Sequence, residues 1–133
     1  MSKLALIAIG GNSLIRAGQS GSIAEQCENA LITAHHIVRL IQHGYAVVLT
    51  HGNDPQVGAQ LLRSALAAPH VSPEPLDVCG ANTQGAIGYL LEQALESALA
   101  EAGLNIPVTT VITQTVVDAH DQAFQHPSKP VGP

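Results

Sequence analysis

The chain opens on a short apolar run, Leu4 to Ile9, that ends abruptly in the polar glycine turn Gly10-Gly11-Asn12-Ser13. A run this short, bounded by turn residues, predicts a buried strand over residues 3–9. From Ser22 to His43 the period changes: Ile23, Cys27, Ala30, Leu31, Ala34, Ile37, Val38 and Ile41 recur at helical spacing, which predicts an amphipathic helix with Cys27 on its apolar side. Ser22 and Glu25 have the spacing of a capping box, and Gly44 offers a left-handed stop. Tyr45 to Thr50 predicts a second strand, and Pro55 to about Ala67 a second helix with Asp54 as its candidate N-cap. Residues 68–75 hold three prolines and predict a surface loop. A long helix over residues 77–102 follows, its buried face marked by Ile87, Leu91, Ala94, Leu95 and Ala98 and its stop by Gly103. Ile106 to Ile112 predicts a third strand and Val116 to Asp118 a further short one, after which the chain turns polar and proline-rich.

Three apolar strands separated by helical segments predict an α/β fold, a parallel sheet covered by helices with right-handed crossovers. The first two strands both end in glycine turns, the second being His51-Gly52-Asn53-Asp54-Pro55-Gln56-Val57-Gly58. In such a sheet both turns face one crevice at the strand carboxyl ends, where ligands bind. Glycine lets a ligand approach closely, and main-chain N–H groups at a helix start favour an anion. Gly10, Gly11, Asn12, Gly52 and Asn53 are therefore the candidate phosphate-binding residues. The blander reading of each turn is a tight strand-to-helix connection. His51, a lone histidine in a turn, reads as a structural hydrogen bonder.

Composition narrows the function classes. The sequence has 133 residues, enough for one domain, with 46% hydrophobic and 11% charged residues. It carries a net charge of −5, and its five cations, Lys3, Arg16, Arg39, Arg63 and Lys129, are scattered. No basic stripe for nucleic acid is present, and nothing reads as a signal peptide or membrane span. Cys27 and Cys79 lack metal spacing, and Asp118, His120 and Asp121 fit no standard metal site. A cytoplasmic, reduced protein without its own metal site is the expectation. The ending Val131-Gly132-Pro133 leaves an open sheet with no closing element, so the chain reads as half of a larger unit.

Five ordered motifs resemble those of the carbamate kinases, within the amino-acid kinase superfamily. They are Ala8-Ile9-Gly10-Gly11-Asn12-Ser13, the His51 to Gly58 turn, Thr83-Gln84-Gly85-Ala86-Ile87-Gly88-Tyr89, Thr113 to Asp118, and Pro127-Ser128-Lys129-Pro130-Val131-Gly132-Pro133. The resemblance implies a three-layer αβα sandwich with a mainly parallel sheet, here truncated. Residues 1–133 would form its N-terminal, phosphoryl-acceptor part, and the nucleotide-binding C-terminal part would be absent. It further implies reversible phosphoryl transfer between ATP and carbamate, giving ADP and carbamoyl phosphate, with Mg2+ accompanying ATP. Lys129 would be the catalytic cation, Gln84, Gly85 and Gly88 would support the site by close packing, and the chain would pair as a homodimer or otherwise self-associate. Carbamate or carbamoyl phosphate would be its ligand, with ATP or ADP only if the missing half is supplied. The alternative is a non-catalytic remnant or small-anion-binding protein.

Two departures from the family pattern bear on this. Asp54 stands where the family has glycine. If the position needs a left-handed backbone, aspartate costs roughly 1–2 kcal/mol. A carboxylate about 6 Å from a phosphate oxygen, at an effective dielectric of about 20, would oppose the anion by roughly 3 kcal/mol. The benign alternative is an N-cap that points away. The second departure is length: family members are about twice as long, so the isolated chain is expected to show little or no kinase activity.

Overall fold

Seven residue pairs hold β1 (Lys3–Ile9) parallel to β2 (Tyr45–His51), in a register running from Lys3 opposite Tyr45 to Ile9 opposite His51. The structure is a computed structural model and describes residues 3–10 and 13–130. Gly11, Asn12 and the last three residues, on which two of the expected site residues fall, lie outside the described residues. The crossover between the strands is α1 (Ile23–Gln42), and β2 is followed by α2 (Asp54–Ala67) and α3 (Leu76–Glu101).

α1 begins where the sequence places it, with both halves of the Ser22–Glu25 capping box formed. The Glu25 carboxylate accepts from the Ser20 hydroxyl at 2.8 Å and the Ser22 N–H at 2.9 Å. Those bonds, the Ser20 hydroxyl foremost, hold its pKa below the ordinary value. Gly44 and Gly103 take left-handed φ values of 84° and 70° just beyond α1 and α3, the conformation that lets each helix end. Along α1 the inward stripe is Ala30, Ala34, Ile37 and Val38. Ile23 and Cys27 are exposed, contrary to the spacing, because in the first two turns the stripe swings toward Gln26 and Asn29. Those amides bond the carbonyls of Gly21 and Leu14, and Cys27 is left at the lip of a shallow groove between α1 and α3.

α3 lies against α1, and α2 packs on α3. The core joins the inward sheet residues Ile7, Ile9, Val47 and Leu49 to Ile87, Leu91, Leu95 and Leu99 of α3. The helices cover one face of the strand pair. On the other face Leu4 and Leu6 are each 70% exposed and Val48 47%. Of the three layers expected, the described residues build two.

The third strand expected at 106–112, and the short one at 116–118, are not formed. Residues 104–118 run without turn or bend but carry no strand ladder, and the sheet has two strands. A strand needs a neighbour at about 4.8 Å, and a slot separates this segment from β2. α3 holds it instead. Leu104 and Val108 pack on the core, and the Gln84 amide oxygen accepts from the Thr113 N–H at 2.8 Å while its nitrogen donates to the Thr113 carbonyl at 3.3 Å. Thr110 sits where a Cβ on Gly88 would be, so close packing does account for that glycine. At Gly85 a Cβ would meet only Ile112 at 3.9 Å, an ordinary contact.

The two helix glycines should therefore respond oppositely to alanine. Gly85→Ala is expected to stabilise by up to about 1 kcal/mol through helix propensity, whereas Gly88→Ala should destabilise by about 1–3 kcal/mol through overpacking, both measured by urea unfolding. The capping box predicts a pH dependence. Because the folded pKa of Glu25 is depressed, its contribution is complete above the unfolded value and is lost as pH falls through the folded one. Glu25→Gln should abolish that acid-side component of the unfolding midpoint.

Candidate functional site

Because β1 and β2 end level, Gly10 and Gly52 leave the sheet side by side. The Gly52 N–H donates to the Ile9 carbonyl at 2.9 Å, carrying the ladder one residue into the second turn. The Gly10 carbonyl accepts from the Ser13 N–H at 2.9 Å. Both glycines are exposed, so a ligand can reach their main chain from the open end of the sheet.

The second turn runs directly into α2. Asn53, not Asp54, is the N-cap, and its carbonyl accepts the first helical bond from Val57 at 2.9 Å. Its side chain does not cap the helix but reaches α3, where Nδ2 donates to Thr83 Oγ1 at 2.7 Å and Thr83 in turn donates to the Gly80 carbonyl at 2.8 Å. Asp54 and Pro55 are the first helical residues. Proline suits that place, since first-turn amides have no intrahelical acceptor and the missing N–H costs nothing. The remaining amides, with the helix dipole, give the turn partial positive character.

Lys129 is brought to this same turn from 75 residues away: its Nζ lies 3.2 Å from each carboxylate oxygen of Asp54. Both side chains are mostly exposed, at 74% and 61%. The backbone concern about Asp54 is thereby answered. No non-glycine among the described residues has a positive φ, so the position demands no left-handed backbone. Its carboxylate is already matched by a cation. Gly10, Gly52, Asn53, Asp54 and Lys129 thus gather at one end of the strand pair.

Other candidates have local employment. His51 Nδ1 lies 3.2 Å from the Gly52 carbonyl oxygen, a bond within the turn. Asp118 and Asp121 accept from the N–H groups of His120 and Ala123, at 2.9 and 2.8 Å. Cys79 is fully buried, and desolvation, then the neighbouring Glu74 charge, pushes its thiol pKa up, which leaves it inert.

Sequence reasoning missed a buried amide network behind the site. Asn29 Nδ2 donates to the Leu14 carbonyl at 2.9 Å and to Gln19 Oε1 at 2.7 Å, Gln26 Nε2 to the Gly21 carbonyl at 2.8 Å, and Gln56 Nε2 to Gln26 Oε1 at 3.2 Å. Through these bonds α1 holds the loop after the first turn and the start of α2. The available signal was Gln26 and Asn29 at helical spacing with the apolar stripe, uncharged residues able to satisfy main-chain groups in the interior.

No protein-family model matches the chain. The carbamate kinase of Pyrococcus furiosus is 49% identical over 135 residues, a match covering 100% of this chain and 43% of that protein. The carbamate kinase of Thermococcus kodakarensis is 50% identical over 134 residues, covering 98% and 42%. Among solved structures, Giardia lamblia carbamate kinase bound to citric acid superimposes with a TM-score of 0.95 at 43% identity, over 99% of this chain and 42% of that one. The same protein bound to AMP-PNP gives 0.93 at 43% identity, over 99% and 42%. The chain spans a little over two-fifths of the length of the curated relatives it matches. Sequence and structure agree on one relationship: over its whole length, this chain is similar to part of the carbamate kinases.

Proposed function

We propose that the chain is the carbamate and phosphoryl-acceptor part of a carbamate kinase-type phosphotransferase. The observation that carries this reading is the level register of β1 and β2, which sets two glycine turns side by side with Lys129 beside the second. Phosphoryl transfer asks a protein mainly for positioning and charge neutralisation. Gly10, Gly11 and Asn12 on one side, and Gly52, Asn53 and the α2 amides on the other, would hold the anion, and Lys129 would neutralise it. Lys129 must leave Asp54 to do so. An exposed ion pair is worth only about 0–1 kcal/mol, so a doubly charged phosphate can compete for the lysine.

The nucleotide is assigned to the portion of the relatives that this chain does not match. The metal is proposed to arrive with ATP, since Mg2+ is usually held by substrate phosphates, waters and at most one or two carboxylates. The bare sheet face, with Leu4 and Leu6 exposed, supports self-association. The likeness to the carbamate kinases supports a cytoplasmic setting. No helix among the described residues is long and apolar enough to cross a membrane. The Asp54–Lys129 pair favours a second reading, a small-anion-binding protein without catalysis.

Calorimetric titration separates the readings. Under the kinase reading the chain binds carbamoyl phosphate, does not bind magnesium ATP, and makes little or no ATP from carbamoyl phosphate and ADP. Failure to bind carbamoyl phosphate, alongside binding of sulfate, would leave the generic anion reading. Asp54→Gly is expected to tighten carbamoyl phosphate binding by roughly tenfold to a hundredfold, from removal of the opposing charge. Lys129→Met should weaken it by about tenfold or more, and high salt should shrink both effects.

A further inference from the structure

Asn53 commits only one end of its side-chain amide to the protein. Its Nδ2 donates to Thr83 Oγ1 at 2.7 Å, and the side chain makes no capping bond to α2. Among the described residues no N–H or O–H group reaches its Oδ1.

Which end of the amide meets Thr83 is decided by Gly80. Thr83 Oγ1 lies 2.8 Å from the Gly80 carbonyl oxygen, and two oxygens stand that close when a hydrogen lies between them. A threonine hydroxyl has one hydrogen. Thr83 gives it to Gly80, so toward Asn53 it is an acceptor, and the NH2 end of the amide is the end that faces it. Thr83 is 5% exposed and lies inside α3, so the relay from Gly80 to Asn53 belongs to the fold and not to the solvent.

The oxygen end is left over in the turn that would receive the anion. That has opposite consequences for two kinds of ligand group. A phosphate oxygen set against Oδ1 meets a second acceptor and is repelled, which leaves the phosphate to main-chain N–H groups and Lys129. A ligand N–H finds an acceptor waiting. Carbamate and carbamoyl phosphate carry an amino group on the carbon that bears the reacting oxygen. Acetate and acetyl phosphate carry a methyl group there, with the same charge and nearly the same shape.

We infer that Asn53 Oδ1 accepts a hydrogen bond from the amino group of the ligand, and that Thr83 is the positioning residue that turns the amide this way round. The inference rests on the carbamate reading proposed above and deepens it, since it assigns the choice of an amino-substituted acid over its methyl counterpart to one residue of the turn and one of α3. Without the Thr83 hydroxyl the amide is free to turn its NH2 end toward the phosphate. That orientation serves every acyl phosphate alike.

Calorimetric titration of this chain with carbamoyl phosphate and with acetyl phosphate tests both halves of the inference. The readout is the ratio of the two dissociation constants, which a general loss of folded protein does not move. Carbamoyl phosphate should bind about tenfold or more tightly than acetyl phosphate, because a site built around an N–H partner rejects the analogue that lacks it. Thr83→Val should bring the ratio close to one, and Thr83→Ser, which keeps the hydroxyl, should restore it. A measurement on the unaltered chain stands beside these: the Asn53 side-chain carbonyl carbon resonance should shift with carbamoyl phosphate and stay in place with acetyl phosphate. Equal affinity for the two phosphates, or an equal shift with both, overturns the inference and leaves the phosphoryl-acceptor reading in place. A ratio unchanged by Thr83→Val overturns the role of Thr83. Binding of neither phosphate removes the phosphoryl-acceptor reading, and this inference with it.

Discussion

The main-chain ladder between β1 and β2 ends with the Gly52 amide donating to the Ile9 carbonyl, and that last bond fixes where both turns leave the sheet. The register is protected by burial. Ile7, Ile9, Val47 and Leu49 face the helices, and a slip of one residue would send that whole set to the opposite face. Each such side chain contributes roughly 1.5–3 kcal/mol when fully buried, so the alignment of two exposed glycines is enforced by aliphatic packing several ångströms beneath them. The site borrows its precision from the core.

Charge at the site is held in a different way. The α2 amides and Lys129 supply positive character, and Asp54 supplies the opposing carboxylate. Asp54 and Lys129 face water, where Coulomb attraction is weak and solvation competes. The lysine is thus placed near the turn without being locked there, while Asn53 is locked by its bond to Thr83. The turn is held by a part-buried hydrogen bond, and the ion pair beside it is held by an exposed contact.

Local signals made most elements legible. Ser22 and Glu25 named the start of α1 because a capping box needs only residues three apart, and Gly44 named its end because only a left-handed residue was required. The glycine turns were readable as a pair because each closes an apolar run. What stayed hidden depended on distant partners. Ile106 to Ile112 has strand composition, yet a strand exists only where a ladder partner lies alongside, and no property of those seven residues reports that. Cys27 has the right spacing for burial, yet its exposure follows from Gln26 and Asn29 serving loop carbonyls. The direction taken by Asp54 was equally out of reach, since its cation comes from 75 residues away.

α3 grips two distant parts of the molecule from neighbouring positions. Thr83 holds Asn53 of the second glycine turn, and Gln84, the next residue, holds Thr113 of the far segment. A single helical turn is among the stiffest units a protein owns, with 1.5 Å of rise per residue and no soft joint between adjacent positions. The two grips are therefore the arms of one yoke: the second glycine turn and the 104–118 segment are tethered to one another through a single turn of helix.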